Sequence, residues 1–160
     1  MSRLRTCPIS WPITARSYDL PRLTVGGILL AKTRLEARGE RIEALVTQLD
    51  TVISKWRVAW EEKAGRGVQA RMRLWGNYLS DYRQNPEGYA DAYPHEIRYR
   101  VMLHLLMAEL SPSAAEQKEL SSLDSLLRVN LISGDFIWEN ELRPGFPREV
   151  YWYLYGKLKS

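Results

Sequence analysis

The chain has 160 residues, of which 45% are hydrophobic and 26% charged, and its formal net charge at pH 7 is +4. This balance is typical of one globular domain and excludes wholesale disorder, and the weak positive charge is below that of a dedicated nucleic-acid arm. The single cysteine excludes an intramolecular disulfide and a thiolate zinc site and favours a reducing, cytoplasmic location. No run of about 18 apolar residues occurs, so we expect no membrane partner.

The first 21 residues are predicted to form an extended arm. Prolines interrupt regular helix at three positions, Pro8, Pro12 and Pro21. Trp11 and Tyr18 are the side chains that would hold this arm against the body of the protein.

A long amphipathic helical region is predicted over residues 28–63. Its apolar residues recur every seven positions, at Ile28, Leu35, Ile42, Leu49 and Trp56, with Leu45 and Val52 in the partner register. Such spacing places them on one helical face, so we expect another helix to cover this face. Gly39 lies within the region and predicts a kink or a break between two helices.

A second helix is predicted after the glycine-containing segment 63–67, which we expect to form a tight turn between antiparallel helices. The alternative is a softened point within one very long helix. The apolar positions of this second helix are Val68, Met72, Trp75, Leu79 and Tyr82. A loop at 84–93 follows, and Pro94 favours the first turn of a helix over 94–110. Ser113 and Glu116 have the spacing of a capping box, which predicts a further helix over about 114–132, with Gly134 as its stop.

The last segment, residues 133–160, is rich in aromatic residues and is interrupted by Pro144, Gly145 and Pro147. Burying each ring is worth a few kcal/mol at about 25 cal/mol per Å2, so we expect this tail to dock on the helices. No stretch alternates apolar and polar residues for long enough to predict a sheet. The predicted fold is all-α, with four or five bundled helices in a single domain: an arm at 1–21, a helical body at 22–132 and the aromatic tail.

Built-in metal and cofactor chemistry are not expected. The two histidines, His95 and His104, are nine positions apart and point to opposite sides of the predicted helix. Residues 65–70 match a G-x-G-x-x-A phosphate loop, but a predicted helix precedes them where that motif requires a strand. We therefore assign no catalytic, metal-binding or cofactor-binding residue.

Charge is distributed unevenly along the chain. Residues 55–73 have six basic residues and two acidic ones, whereas residues 85–127 have seven acidic and three basic residues. The basic candidates for contact with nucleic acid or a protein are Lys55, Arg57, Lys63, Arg66, Arg71 and Arg73. Trp56, Trp60 and Trp75 lie among or beside them, as in surfaces that hold phosphates and stack bases.

Three functional hypotheses follow. The first is a non-enzymatic helical interaction module, a subunit or adaptor that binds a protein partner or a second copy of itself. The second is a nucleic-acid-binding protein that uses residues 55–75 and the arm. The third is an enzyme or small-ligand carrier with a pocket near the tail, where the candidate aromatic docking surface consists of Trp138, Tyr151, Trp152 and Tyr155.

Overall fold

The computed structural model describes residues 23–160, and the predicted arm therefore lies outside the described residues. Within that range the chain forms seven α-helices and a two-stranded sheet. The helices are α1 (Val25–Ala37), α2 (Glu43–Lys55), α3 (Arg57–Gln84), α4 (Pro86–Tyr89), α5 (Tyr93–Glu96), α6 (Arg98–Glu109) and α7 (Ala114–Asn130). The strands are β1 (Leu131–Phe136) and β2 (Tyr155–Leu158), and short 3-10 helices cover Ala90–Ala92, Asn140–Gly145 and Trp152–Leu154. The predicted helical class is confirmed.

The predicted long helical region is divided between α1, α2 and the start of α3. The threonine side chain of Thr24 caps α1 by accepting a hydrogen bond from the Gly27 amide at 3.1 Å. After α1 the chain turns at Gly39, whose φ of 71° lies in the left-handed region that glycine tolerates best. A second interruption at Trp56 separates α2 from α3.

The predicted break at residues 63–67 is wrong, because α3 continues without interruption through Gly65 and Gly67. A Cβ atom added at Gly67 would lie 3.3 Å from Leu106 Cδ1, and one added at Gly26 would lie 3.2 Å from the same atom. Glycine therefore lets both α1 and α3 approach α6 closely. This packing outweighs the cost of about 1 kcal/mol that a glycine imposes on a helix.

The core lies where α3 packs against α6, with α1 and α7 against this pair. Ala64, Val68 and Trp75 of α3 are buried, as are Val101 and Leu106 of α6.

The helix predicted over 94–110 is divided in the structure into α5 and α6, with the junction at Ile97.

The capping box at the start of α7 is confirmed. Ser113 Oγ accepts a hydrogen bond from the Glu116 amide, and Glu116 Oε2 accepts one from the Ser113 amide at 2.9 Å. The capping interaction also holds the pKa of Glu116 below its usual value, chiefly through the Ser113 amide. The helix ends at Asn130, before the predicted stop at Gly134.

Replacing Ser113 with alanine is expected to destabilise the protein by about 1 kcal/mol, because the first turn of α7 loses one side of its capping box. Urea denaturation followed by circular dichroism measures this loss. Ser121→Ala is the matched control, since Ser121 is exposed within the same helix. Equal stability of the two variants would contradict the assigned cap.

The expectation of no sheet is wrong, because β1 and β2 pair antiparallel, with Leu131 opposite Leu158 and Phe136 opposite Tyr155. β1 has four consecutive exposed residues and a bulge between Ser133 and Phe136, so it lacks the alternation by which a strand is recognised.

The expected docking of the tail is confirmed, since Phe146, Tyr153 and Leu154 are fully buried in the core cluster.

Candidate interaction surface

The apolar face predicted over residues 28–56 is only partly covered. Helix α2 has no buried residue. Ile42, just before it, is buried, whereas Leu45, Val52 and Trp56 are 58%, 53% and 59% exposed. We call these three side chains the α2 seam; apolar side chains grouped at helical spacing and left in water are typical of surfaces that bind a partner.

An apolar groove of about 280 Å3 adjoins the α2 seam, between α1 and α2. Its lining residues are Leu23, Gly27, Ile28, Ala31, Lys32, Leu35, Ile42, Leu45, Val46 and Leu49. Lys32 is the one charged residue among them. Leu45 belongs to both the groove and the α2 seam, so the two form one continuous surface.

The charges beside this surface are mixed. Lys55 follows Val52 by three positions on α2 and its Nζ lies 5.6 Å from the ring centroid of Trp56, so it borders the seam. Glu36, Glu40 and Glu43 lie beside Ile42 and Val46 at the groove. Glu43 and Asp50 are each two positions from a seam residue, which places them about 200° around the helix. The acidic side chains of α2 therefore point away from the seam.

Lys32, at the groove, lies 3.9 Å from Glu36 one turn later. Both side chains are substantially exposed, at 34% and 51%. Such a pair contributes little to stability and leaves the lysine free to exchange partners.

The six basic residues selected from the sequence differ in environment. Lys55, Arg57, Lys63, Arg66 and Arg73 are exposed. Arg57 and Arg66 each pair with a glutamate one turn earlier or later, at 3.5 Å from Glu61 and 4.0 Å from Glu62. Arg71 is held inside the fold, because its Nη2 donates to Thr24 Oγ1 at 2.8 Å and its Nε to Met102 Sδ at 3.5 Å.

The tryptophans interleaved with these basic residues are mostly in the core. Trp60 is 8% exposed and its Nε1 donates to Glu109 at 3.4 Å, while Trp75 is fully buried and stacked on Tyr78. Trp56 alone of the three is exposed, with Lys55 Nζ 5.6 Å from its ring centroid. Two of the three tryptophan rings that were proposed to stack on bases, Trp60 and Trp75, are therefore buried, whereas most of the basic residues are exposed.

The proposed aromatic docking surface is also divided by the structure. Tyr151 and Tyr155 are buried, at 7% and 5% exposed, so they belong to the core and not to a surface. Tyr155 is anchored further by its hydroxyl, which donates to the Phe146 carbonyl at 2.7 Å. Tyr151 and Tyr155 are buried because the pairing of β1 with β2 turns the tail back over the helices.

Trp138 and Trp152 are half-buried, and each indole ring is covered by an arginine. Arg34 Cζ lies 4.6 Å from the ring centroid of Trp138, and Arg128 Cζ lies 3.7 Å from that of Trp152. Trp138 Nε1 also donates to the Pro94 carbonyl at 2.8 Å. Both rings already have intramolecular partners.

The sequence pattern indicated the apolar face but not the groove or the place of Lys32 in it. The spacing of Lys55 relative to Val52 could have indicated that this lysine borders the seam. The groove itself depends on the angle between α1 and α2, which no local signal gives.

In residues 23–160, no group of three or more His, Cys, Asp or Glu side chains is arranged to hold a metal ion. Over the same residues, no helix has the length and apolar character needed to cross a membrane. Comparison with protein-family models, curated proteins and solved structures finds no significant match to this chain.

Proposed function

We propose that this protein is a non-enzymatic interaction module, a subunit or adaptor that binds a helix of a partner protein along the α2 seam and the α1–α2 groove. The observation that carries the proposal is the exposure of Leu45 and Val52 on a helix without a buried residue and of Trp56 directly after it, each more than half accessible. An amphipathic helix laid into an apolar groove is a recurring mode of protein recognition.

The partner helix has an acidic edge. Lys55 borders the seam and Lys32 lines the groove, so carboxylates on the partner would meet complementary charge. A second copy of this chain is less well matched, because its own seam has the same lysine and its α2 carboxylates point away from the seam. Trp56 and Leu45 would supply most of the binding energy, since buried aromatic and aliphatic anchors dominate interfaces.

A photocrosslinking experiment tests this proposal. A photoreactive phenylalanine analogue replaces Val52 in one variant and Glu119, an exposed residue of α7, in the control variant. Both variants are produced in the native host cells of the protein, and the crosslinked adducts are mapped by mass spectrometry. We expect the adduct at position 52 alone, on an acidic amphipathic helix of another protein.

Surface substitutions provide the second arm of the test. Leu45→Glu combined with Val52→Glu is expected to abolish the interaction while changing the free energy of unfolding by less than about 0.5 kcal/mol per site, because both side chains are exposed. Val129→Glu is the matched control, as Val129 is 69% exposed on α7. Equal crosslinking at positions 52 and 119, or an adduct made only of a second copy, would contradict the proposed partner.

Nucleic-acid binding is the second candidate function, and the exposed residues Lys63, Arg66 and Arg73 on α3 support it. It has less support than the interaction module, because Trp60 and Trp75 are buried and cannot stack on bases. A pocket for catalysis or ligand binding near Trp138 and Trp152 has the least support, because arginines cover both indole rings.

A further inference from the structure

A hollow of about 310 Å3 lies between the second half of α3 and the connection from α4 to α6, and it is distinct from the α1–α2 groove. Three tyrosines, Tyr78, Tyr89 and Tyr99, contribute to its walls. Two carboxylates, Asp81 and Glu96, lie among them. Tyr78 belongs to the core cluster, whereas the proposed interaction with a partner helix uses none of these five side chains.

Two of the three tyrosine side chains, Tyr78 and Tyr99, are held in place by contacts within the fold. Tyr78 is 6% exposed, stacks on Trp75 with 5.6 Å between ring centroids, and donates its hydroxyl hydrogen to the Tyr89 carbonyl at 2.9 Å. The hydroxyl of Tyr99 accepts a hydrogen bond from Arg98 Nη2 at 3.0 Å. Tyr89 is 38% exposed, which leaves one wall of the hollow accessible to a ligand. The site is therefore largely preformed.

The carboxylates in the hollow have few partners of opposite charge. Among residues 23–160, Asp81 has no lysine, arginine or histidine nitrogen within 4.0 Å, and Glu96 has one such contact, His95 Nε2 at 3.9 Å. Burial raises the pKa of Tyr78, and the negative charge of Glu96 raises it further. Two carboxylates thus lie beside the three tyrosine side chains, and Asp81 has no basic partner within 4.0 Å among the described residues.

We propose that this hollow binds an organic cation, an ammonium, quaternary ammonium or guanidinium group on a short aliphatic stem. Cations are attracted to the faces of aromatic rings, and most strongly where water is partly excluded. Leu74, 41% exposed at the same hollow, would contact the stem. The Arg98 guanidinium already lies 4.8 Å from the Tyr99 ring centroid, so the ring available to an external cation is chiefly that of Tyr89.

The test follows the NMR signals of the Leu74 methyl groups and the Tyr89 ring while choline chloride is added to the full chain. Its neutral isostere, 3,3-dimethylbutan-1-ol, has the same shape without the charge, and sodium chloride controls for ionic strength. We expect saturable shifts with choline and at least roughly tenfold weaker binding of the alcohol. Agmatine and a blocked arginine tripeptide in parallel titrations separate a free small cation from a side chain of a basic peptide.

Three variants test which side chains of the hollow contribute to choline binding. Glu96→Gln, Asp81→Asn and Tyr89→Leu are each expected to weaken choline binding by roughly threefold to tenfold. Asp91→Asn is the matched control, because Asp91 is exposed in the same connection but does not line the hollow. Equal shifts from choline and its isostere in the unmodified protein would overturn the proposal without any variant, as would affinity unchanged in all three variants.

Discussion

Replacing Asp124 with alanine is expected to destabilise the protein by about 3 kcal/mol or more, because it leaves the buried guanidinium of Arg100 without its counter-ion. Arg100 is 7% exposed and binds Asp124 through two parallel hydrogen bonds, Nε to Oδ1 at 2.7 Å and Nη2 to Oδ2 at 2.8 Å. Burial, the largest single influence, lowers the pKa of Arg100, but the hydrogen bonds to Asp124 and the electrostatic interactions with Tyr153, Asp124 and Tyr93 together outweigh it, so the net shift is upward. The arginine is therefore charged in the native protein.

Urea denaturation of Asp124→Ala measures this loss, and Glu119→Ala, an exposed acidic residue of the same helix, is the matched control. A double variant, Arg100→Met with Asp124→Leu, removes both charges and is expected to recover most of the stability, since well-packed apolar residues often replace a buried ion pair at little cost. A loss below about 1 kcal/mol in the single variant would show that water reaches Arg100.

Phe146→Ala is expected to cost about 3–5 kcal/mol, the usual range for truncating a buried aromatic residue. Phe146 is fully buried, and its ring centroid lies 5.0 Å from that of Tyr151 and 5.3 Å from that of Trp138. Its removal leaves a cavity where the tail packs on the helices. The free energy of unfolding in urea, followed by tryptophan fluorescence, provides the measurement.

Two controls make this experiment specific to the packing of the tail. Phe146→Leu keeps most of the volume and is expected to cost less than about 1.5 kcal/mol. Val150→Ala changes a residue of the same tail that is 44% exposed, and we expect less than about 0.5 kcal/mol. Similar stability of Phe146→Ala and Val150→Ala would mean that the tail contributes little to the core.

Local signals predicted local structure well. The start of α7 follows from Ser113 and Glu116, which interact across one turn, and the structure has both hydrogen bonds of the capping box. The glycines at 65 and 67 gave the wrong prediction, because their cost to the helix is local, whereas the close packing that Gly67 allows against Leu106 comes from a distant segment. A Cβ atom added at Gly65 would meet nothing within 4 Å. The β1–β2 pair was missed for a similar reason: its strands meet only after the intervening aromatic segment has folded back.

The candidate interaction surface was predictable in part. The spacing of seven identified the apolar face of α2. It could not indicate that Ile42 would be buried while Leu45 and Val52 stayed exposed, since that depends on how the chain turns at Gly39. The tyrosine-lined hollow was not predicted, because its rings come from α3, α4 and α6 and share no sequence pattern.

The shared contact of Gly26 and Gly67 with Leu106 has a consequence for how this sequence can evolve. A methyl group at either glycine would lie within 3.3 Å of the same leucine carbon, so the leucine must yield in both cases. Substitutions at these three positions are therefore not independent in their energetic effect. Homologous chains should covary here, with alanine at 26 or 67 accompanied by a smaller side chain at 106.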